Sequence, residues 1–126
     1  MRTQNNFKKG SIELLLLRIL KEKGDCYGYQ LSQLIKTITD NYLFFPEGSL
    51  YPALYRMIDK GLISYYKKQV GKGLIRVYYH IELLGEEHLE RLLTEYYETS
   101  RSIEKVLNYN FCDDDEDDET EEERDE

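Results

Sequence analysis

Apolar residues recur along this chain at two periods, and the switches between them divide it into three helices, a hairpin and a final long helix. Ile12, Leu15, Leu16, Ile19 and Leu20 repeat at helical spacing, widened by Leu14 and Leu17. They predict a first helix that Ser11 can cap, running to about Lys23, with Gly24 ending it. An apolar arc that wide needs cover on more than one side, from its own domain and from a second subunit. Leu31, Leu34, Ile35 and Ile38 predict a second helix from Tyr27 or Gly28 to about Thr39, with Tyr29, Gln30 and Gln33 outward. An aromatic linker, Asn41-Tyr42-Leu43-Phe44-Phe45, then leads to a third helix. On it Leu50, Ala53, Leu54 and Met57 share one stripe at about 100° per residue, with Ile58 at its edge. Ser49, Pro52, Tyr55, Arg56 and Asp59 fall on the opposite side, and Gly61 stops the helix. Either Ser49 caps this helix, leaving Pro52 in the first turn, or Pro46 takes the first helical position, where its missing N–H costs nothing. The second start is preferred, with a local distortion at Pro52.

After Gly61 the period falls to two. Leu62 to Val70 and Leu74 to Ile81 predict two strands joined by Gly71-Lys72-Gly73. Ile63, Tyr65, Ile75, Val77, Tyr79 and Ile81 make an apolar face, and Ser64, Tyr66, Lys68, Arg76, Tyr78 and His80 a basic and aromatic one. From about Glu82 to Leu107, the residues Leu89, Leu93, Tyr96, Ser100, Ile103 and Leu107 alternate steps of four and three, a heptad seam broadened by Leu92 and Val106. A lone small domain cannot bury such a stripe, so Leu89, Leu93, Tyr96, Ile103 and Leu107 are the expected dimerisation residues. Tyr96 and Tyr97 could instead line a ligand pocket, but aromatics on such a stripe are more often packing.

The expected fold class is mainly α with a small β-hairpin: a winged helix-turn-helix domain followed by a long C-terminal dimerisation helix. The linker 41–45 exceeds the tight turn of the simplest helix-turn-helix, which favours the winged form. The third helix is then the reading element, with Ser49, Tyr51, Tyr55 and Arg56 as candidate base or backbone contacts. Tyr29 and Gln30, at the N-terminus of the second helix, are candidate phosphate contacts. Lys67, Lys68, Lys72 and Arg76 of the hairpin would reach a minor groove or its phosphates.

Charge sharpens this reading. The chain of 126 residues has a formal charge of −8, but residues 113–126 hold twelve acids and one arginine, net −11, which leaves the remainder at +3. Arg56, Lys60, Lys67, Lys68, Lys72 and Arg76 face a single acid, Asp59, between positions 56 and 76. The expected organisation is a flexible basic N-terminus over 1–9 carrying Arg2, Lys8 and Lys9, a winged-helix domain over 10–81, a dimerisation helix over 82–111, and a disordered acidic tail over 112–126. The tail is either a solubilising appendage or an internal competitor that keeps the basic hairpin off random DNA. Cys26 and Cys112 are expected as reduced thiols. No apolar run reaches the roughly 18 residues of a membrane span and no signal peptide is evident, so a soluble, cytoplasmic protein without membrane association is expected. No phosphate loop, paired-cysteine motif or nucleophile constellation is present, and His80 and His88 are the only histidines. Enzyme, cofactor and metal readings are accordingly not favoured.

The run Gly48-Ser49-Leu50-Tyr51-Pro52-Ala53-Leu54-Tyr55-Arg56-Met57, followed by Lys60-Gly61-Leu62-Ile63, resembles the signature of PadR-type transcriptional regulators, winged-helix repressors. The leucine-rich Glu13-Leu14-Leu15-Leu16-Leu17, the segment Tyr27-Gly28-Tyr29-Gln30-Leu31 and the pair Tyr78-Tyr79 with Gly85 fit the same family in order, over roughly residues 10 to 108. Many relatives carry two adjacent basic residues before the paired tyrosines, where this chain has Arg76-Val77. The resemblance implies a homodimeric repressor of double-stranded DNA, controlled by a small aromatic or amphipathic effector. The alternative is a winged-helix interaction module that no longer binds DNA, with the acidic tail as its partner-binding element.

Overall fold

The computed structural model describes residues 5–112, so all of the acidic tail expected over 112–126 except Cys112, together with residues 1–4, lies outside the described residues. Asn5 opens a turn in which its side-chain carbonyl accepts the Phe7 and Lys8 amides at 2.9 and 3.2 Å, leading into a single 3-10 turn, Lys9–Ser11. Lys8 donates to the Phe44 carbonyl at 3.0 Å and lies 5.5 Å from the Phe45 ring centre, so it is tied to the linker rather than to a ligand.

Helix α1 (Ile12–Glu22) begins one residue after Ser11. Ser11 does not cap it, because the 3-10 turn already holds Ser11 near helical dihedrals and its hydroxyl donates backwards to the Lys8 carbonyl at 2.7 Å. Ile12, Leu16, Leu17 and Leu20 are buried, and Leu14, Leu15 and Ile19 pack part-buried on the same core. The wide apolar arc is therefore largely covered within its own domain.

A strand of two residues, β1 (Cys26–Tyr27), precedes α2 (Gly28–Ile38). The end of α2 is closed by Asn41 N–H to the Lys36 carbonyl at 2.8 Å and Asp40 N–H to the Thr37 carbonyl at 3.1 Å, with Asp40 and Asn41 at φ of 53° and 68°. Ile38, expected on the apolar stripe, is 68% exposed: as the last helical residue it lies past the reach of the core.

Helix α3 (Glu47–Asp59) starts at Glu47, one residue later than expected, because Pro46 is its N-cap, with ψ at 168°. The Pro46 carbonyl accepts the Ser49 and Leu50 amides, both at 2.9 Å. Pro52 stands inside the helix and cannot serve the Gly48 carbonyl four residues back; Gly48 is exposed, so water can. At the other end Gly61, at φ +77°, lets its own N–H reach the Ile58 carbonyl at 3.0 Å and Leu62 N–H the Met57 carbonyl at 2.9 Å. That closure turns Leu62 into the core and starts the sheet.

Strands β2 (Ile63–Gly71) and β3 (Leu74–Ile81) form the hairpin, and β1 pairs with β3 as well, giving a three-stranded antiparallel sheet in the order β1-β3-β2. The turn is Lys72-Gly73, with Gly73 at φ +65°; Gly71 belongs to β2 and Leu62 does not, and the register is irregular between Gln69 and Gly71. The expected apolar face exists only at the base of the hairpin, where Ile63, Tyr79 and Ile81 are buried. Tyr65, Leu74 and Ile75 are exposed because, among the described residues, no helix packs on the distal half, and Lys67, opposite Val77, shares the face of Tyr65 and Ile75.

Helix α4 (Leu83–Leu107) starts after Glu82, whose N–H donates to the Leu62 carbonyl at 2.9 Å and whose carboxylate accepts the Ser64 hydroxyl. Leu89, expected in the dimer seam, is fully buried in its own domain's core, with Leu92 and Leu93 packed against it. The first compact unit ends at Leu93 and a second begins at Thr94. Within the second unit Tyr96, Tyr97, Ile103, Val106 and Leu107 are exposed. In the first, Glu13 of α1 faces Lys60 at 3.6 Å and His88 at 3.4 Å, tying α1 to the end of α3 and to α4.

Candidate nucleic-acid interface

The outward face of α3 is the one its periodicity predicts. Ser49, Pro52, Tyr55, Arg56 and Asp59 are exposed, while Leu50, Ala53, Leu54 and Met57 are buried beneath them. Tyr51 is half-buried, and its ring lies where a β-carbon on Gly28 would have to sit, so the absence of a side chain at Gly28 is what lets α3 dock on the start of α2. Burial, then the nearby Glu47 and Tyr55, push the Tyr51 phenol above its ordinary range. Tyr51 therefore supports Tyr55, whose ring centre is 6.3 Å away, more than it offers itself to solvent. Of the two residues singled out on α2, Tyr29 is exposed, whereas the Gln30 side-chain carbonyl accepts the Tyr27 amide at 3.3 Å and helps to close the helix start.

The hairpin arranges its cations on rings. Lys68 lies 5.5 Å from the Tyr78 ring centre, and the Arg76 guanidinium 4.2 Å from that of Tyr27. The rings form one assembly: Tyr66 stacks on Tyr78 at 5.7 Å, and Tyr27 meets Tyr78 edge-on at 5.6 Å. Lys68 and Arg76 are direct cross-strand partners, a like-charge pair that costs stability and that an anion laid between them would relieve. Lys72 occupies the exposed turn, and Lys67 extends from the other face. Lys60, counted with this basic run, is instead paired with Glu13. The strand β1 that brings Tyr27 to the sheet is too short to show in a periodicity, so the ring under Arg76 was not legible in the sequence.

A polar latch at the base of this face was missed as well. The Asp25 carboxylate accepts the Tyr66 hydroxyl and faces His80 Nδ1, each at 2.8 Å. The bond to Asp25 raises the His80 pKa. Burial alone would raise the Asp25 carboxyl, but the hydrogen bonds from His80 and Tyr66 together hold it below the usual value. A raised histidine contributes stability that is complete below its unfolded pKa and is lost as pH rises through the folded one. A lowered carboxyl contributes above its unfolded pKa and loses that contribution as pH falls. The thermal midpoint is thus expected to decline between about pH 6 and 8, and His80→Gln to flatten that slope. An unchanged slope in the variant would show that the latch carries none of it. Both side chains are partly exposed, so the effect is small.

Among the described residues, no three His, Cys, Asp or Glu side chains are grouped to hold a metal ion, and no helix is long and apolar enough to cross a membrane. Cys26 is free and buried, and that burial raises its thiol pKa; Cys112 is free and exposed.

Two helices in succession, the second with a polar outward face, and a basic hairpin behind them define a winged helix-turn-helix protein. The sequence pattern of the transcriptional regulator PadR-like family matches residues 16–91, and the chain belongs to that family of transcriptional regulators. An uncharacterised protein of Lysinibacillus sphaericus is 35% identical over 99 residues, 79% of this chain and 90% of that one. A transcriptional regulator from Clostridium thermocellum superposes at a TM-score of 0.76 with 29% identity, over 82% of this chain and all of the other. The fold also matches that of Bacillus subtilis PadR, solved in complex with operator DNA, at a TM-score of 0.59 and 23% identity over 65% of this chain and 46% of that one.

Proposed function

We propose that this regulator binds operator DNA as a homodimer and represses transcription under the control of a small effector. Helix α3 enters the major groove with Tyr55, Arg56 and Ser49 foremost, and the hairpin lays Lys68, Lys72 and Arg76 along flanking phosphates. The observation that carries this reading is the exposed polar face of α3 in the same compact unit as a hairpin whose cations are held on rings. The operator complex of Bacillus subtilis PadR supports it by analogy of fold. The exposed apolar residues Tyr96, Ile103, Val106 and Leu107 in the second unit support the dimer, which would set two α3 helices about 34 to 36 Å apart on successive major grooves. The effector is expected to be aromatic or amphipathic and to act by favouring one geometry of the reading heads.

Selection of genomic fragments at two salt concentrations tests the core of the proposal, since enrichment of one pseudo-palindrome is expected. On that site Arg56→Ala is expected to cost about 1 to 3 kcal/mol and relax preference at one base step. Lys72→Ala is expected to weaken all sequences alike and flatten the salt slope. A uniform loss for both variants would make Arg56 a phosphate contact. No loss for either would favour the protein-interaction module instead.

A further inference from the structure

Between the outward side of α3 and the hairpin lies a cavity of about 420 Å³, lined by Tyr55, Ile58, Asp59, Tyr65, Val77 and Tyr79. The size is within the range of small-molecule sites. Its lining is selective: three phenol rings, two aliphatic side chains and one carboxylate, with no basic residue. Ile58, Val77 and Tyr79 are the more buried members, and Tyr55, Tyr65 and Asp59 the exposed ones. Tyr65 and Tyr79 are direct cross-strand partners, so the hairpin presents two rings side by side.

Two polar members of this set, one buried and one exposed, have no partner among the described residues. Tyr79 is only 4% exposed, yet among the described residues its hydroxyl makes no hydrogen bond. A bound group able to pair with that hydroxyl would supply the hydrogen bond the protein leaves unmade. Its surroundings are apolar and phenolic: burial first, then Tyr51, Tyr55 and Tyr65, push its pKa up to about 12, so it stays a neutral hydroxyl. Asp59 makes no ion pair among the described residues, although its neighbour Lys60 is taken by Glu13.

We propose that this cavity is a binding site for a small aromatic cation carrying a hydroxyl, its ring between Tyr55 and Tyr65, its ammonium at Asp59 and its hydroxyl paired with that of Tyr79. Electron-rich ring faces attract a cation, and a carboxylate beside them adds to that attraction. An anionic aromatic meets the same rings and the same carboxylate as repulsion. Occupancy opposes DNA binding, because Tyr55 belongs to both surfaces and cannot close on a ligand while reaching into a groove. This last step rests on the proposed reading of α3; the binding step does not.

The test is calorimetric titration of the full chain, without DNA, with three probes: tyramine, phenethylamine, which lacks the hydroxyl, and 4-hydroxyphenylacetate, which replaces the cation by an anion. Tyramine is expected to bind most tightly and 4-hydroxyphenylacetate not measurably. Asp59→Asn is expected to weaken tyramine about fivefold, the scale of a partly exposed ion pair. Tyr79→Phe is expected to weaken tyramine to the level of phenethylamine, leave phenethylamine unchanged, and keep or raise the thermal midpoint, since an unpaired hydroxyl is what it removes. No binding by any probe, equal binding of the anion, or indifference of tyramine to Asp59→Asn would overturn the site. In a separate measurement tyramine should lower affinity for the selected operator. Binding without that competition would refute the antagonism and keep the site, whereas a protein that selects no operator refutes the DNA reading and leaves the titrations decisive for the cavity.

Discussion

With Ile103 and Leu107 both replaced by glutamate, the protein is expected to sediment as a monomer and to lose operator affinity by at least about a hundredfold. That factor is the low end of what tethering two binding modules contributes once the second contact becomes intramolecular. The two positions are chosen because the single chain leaves them open, 45% and 70% exposed, so carboxylates there disturb no packing within the protomer. In a twofold interface each new charge meets the counterpart of the same patch, where an unpaired charge is costly to bury. The same change at Leu89 or Leu93 would be uninformative, since Leu89 belongs to the core of the first unit and Leu93 packs against it, so a charge at either would disturb the protomer itself. Sedimentation, circular dichroism and operator titration on one sample separate the outcomes. A variant that remains dimeric places the seam elsewhere on the helix, and a monomer with undiminished operator affinity removes the dimer from the mechanism.

Gly85→Ala is expected to destabilise the protein by about 1 to 3 kcal/mol, the range of overpacking a tight contact. In most helices this exchange stabilises, because alanine restricts the unfolded chain and favours the helix by up to about 1 kcal/mol. Here the sign reverses. An added methyl would collide with the carbonyl of Leu62 and come to 2.9 Å from Ile81 Cγ1, and the first of these is backbone that Glu82 already holds by a hydrogen bond. A fall of roughly 4 to 8 °C in thermal midpoint per kcal/mol makes the effect easy to measure in a domain of this size. Gly48→Ala provides the contrast. It sits in α3 with open space around the added methyl, so the ordinary helical gain should appear. If both exchanges stabilise, the close approach of α4 to Leu62 is not tight enough to matter.

What could be read from the sequence was whatever repeats or punctuates. The buried stripe Leu50, Ala53, Leu54 and Met57 follows from period alone, and so do the outward positions Tyr55 and Arg56. Gly61 and Gly73 marked a helix end and a strand turn because few other residues adopt their backbone readily. What escaped depends on contacts between distant segments. A strand of two residues has no period, so β1 and the ring it places under Arg76 were invisible. The heptad pattern ran through Leu89 without showing that the first turns of α4 cover their own core. Alternation along the hairpin implied an apolar face of full length, but whether a strand face is buried depends on what lies over it, and among the described residues nothing covers the distal half. Lys60 counted towards the basic run and Gln30 looked available for phosphate until the partners Glu13 and the Tyr27 amide were in place.

The rings beneath Lys68 and Arg76 bear on the entropy of the encounter. A free lysine or arginine on a hairpin loses up to about 2 kcal/mol of rotamer freedom when it is fixed on a phosphate. Side chains resting on Tyr78 and Tyr27 have surrendered part of that freedom at folding, when the sheet was formed. The number of charges sets how steeply affinity falls with salt, whereas the rings set how much ordering remains to be done at any one salt concentration. Two proteins with the same count of wing cations can therefore share a salt slope and differ in affinity by a constant factor, and if the hairpin of this chain meets DNA as proposed, Tyr78 and Tyr27 would supply that factor.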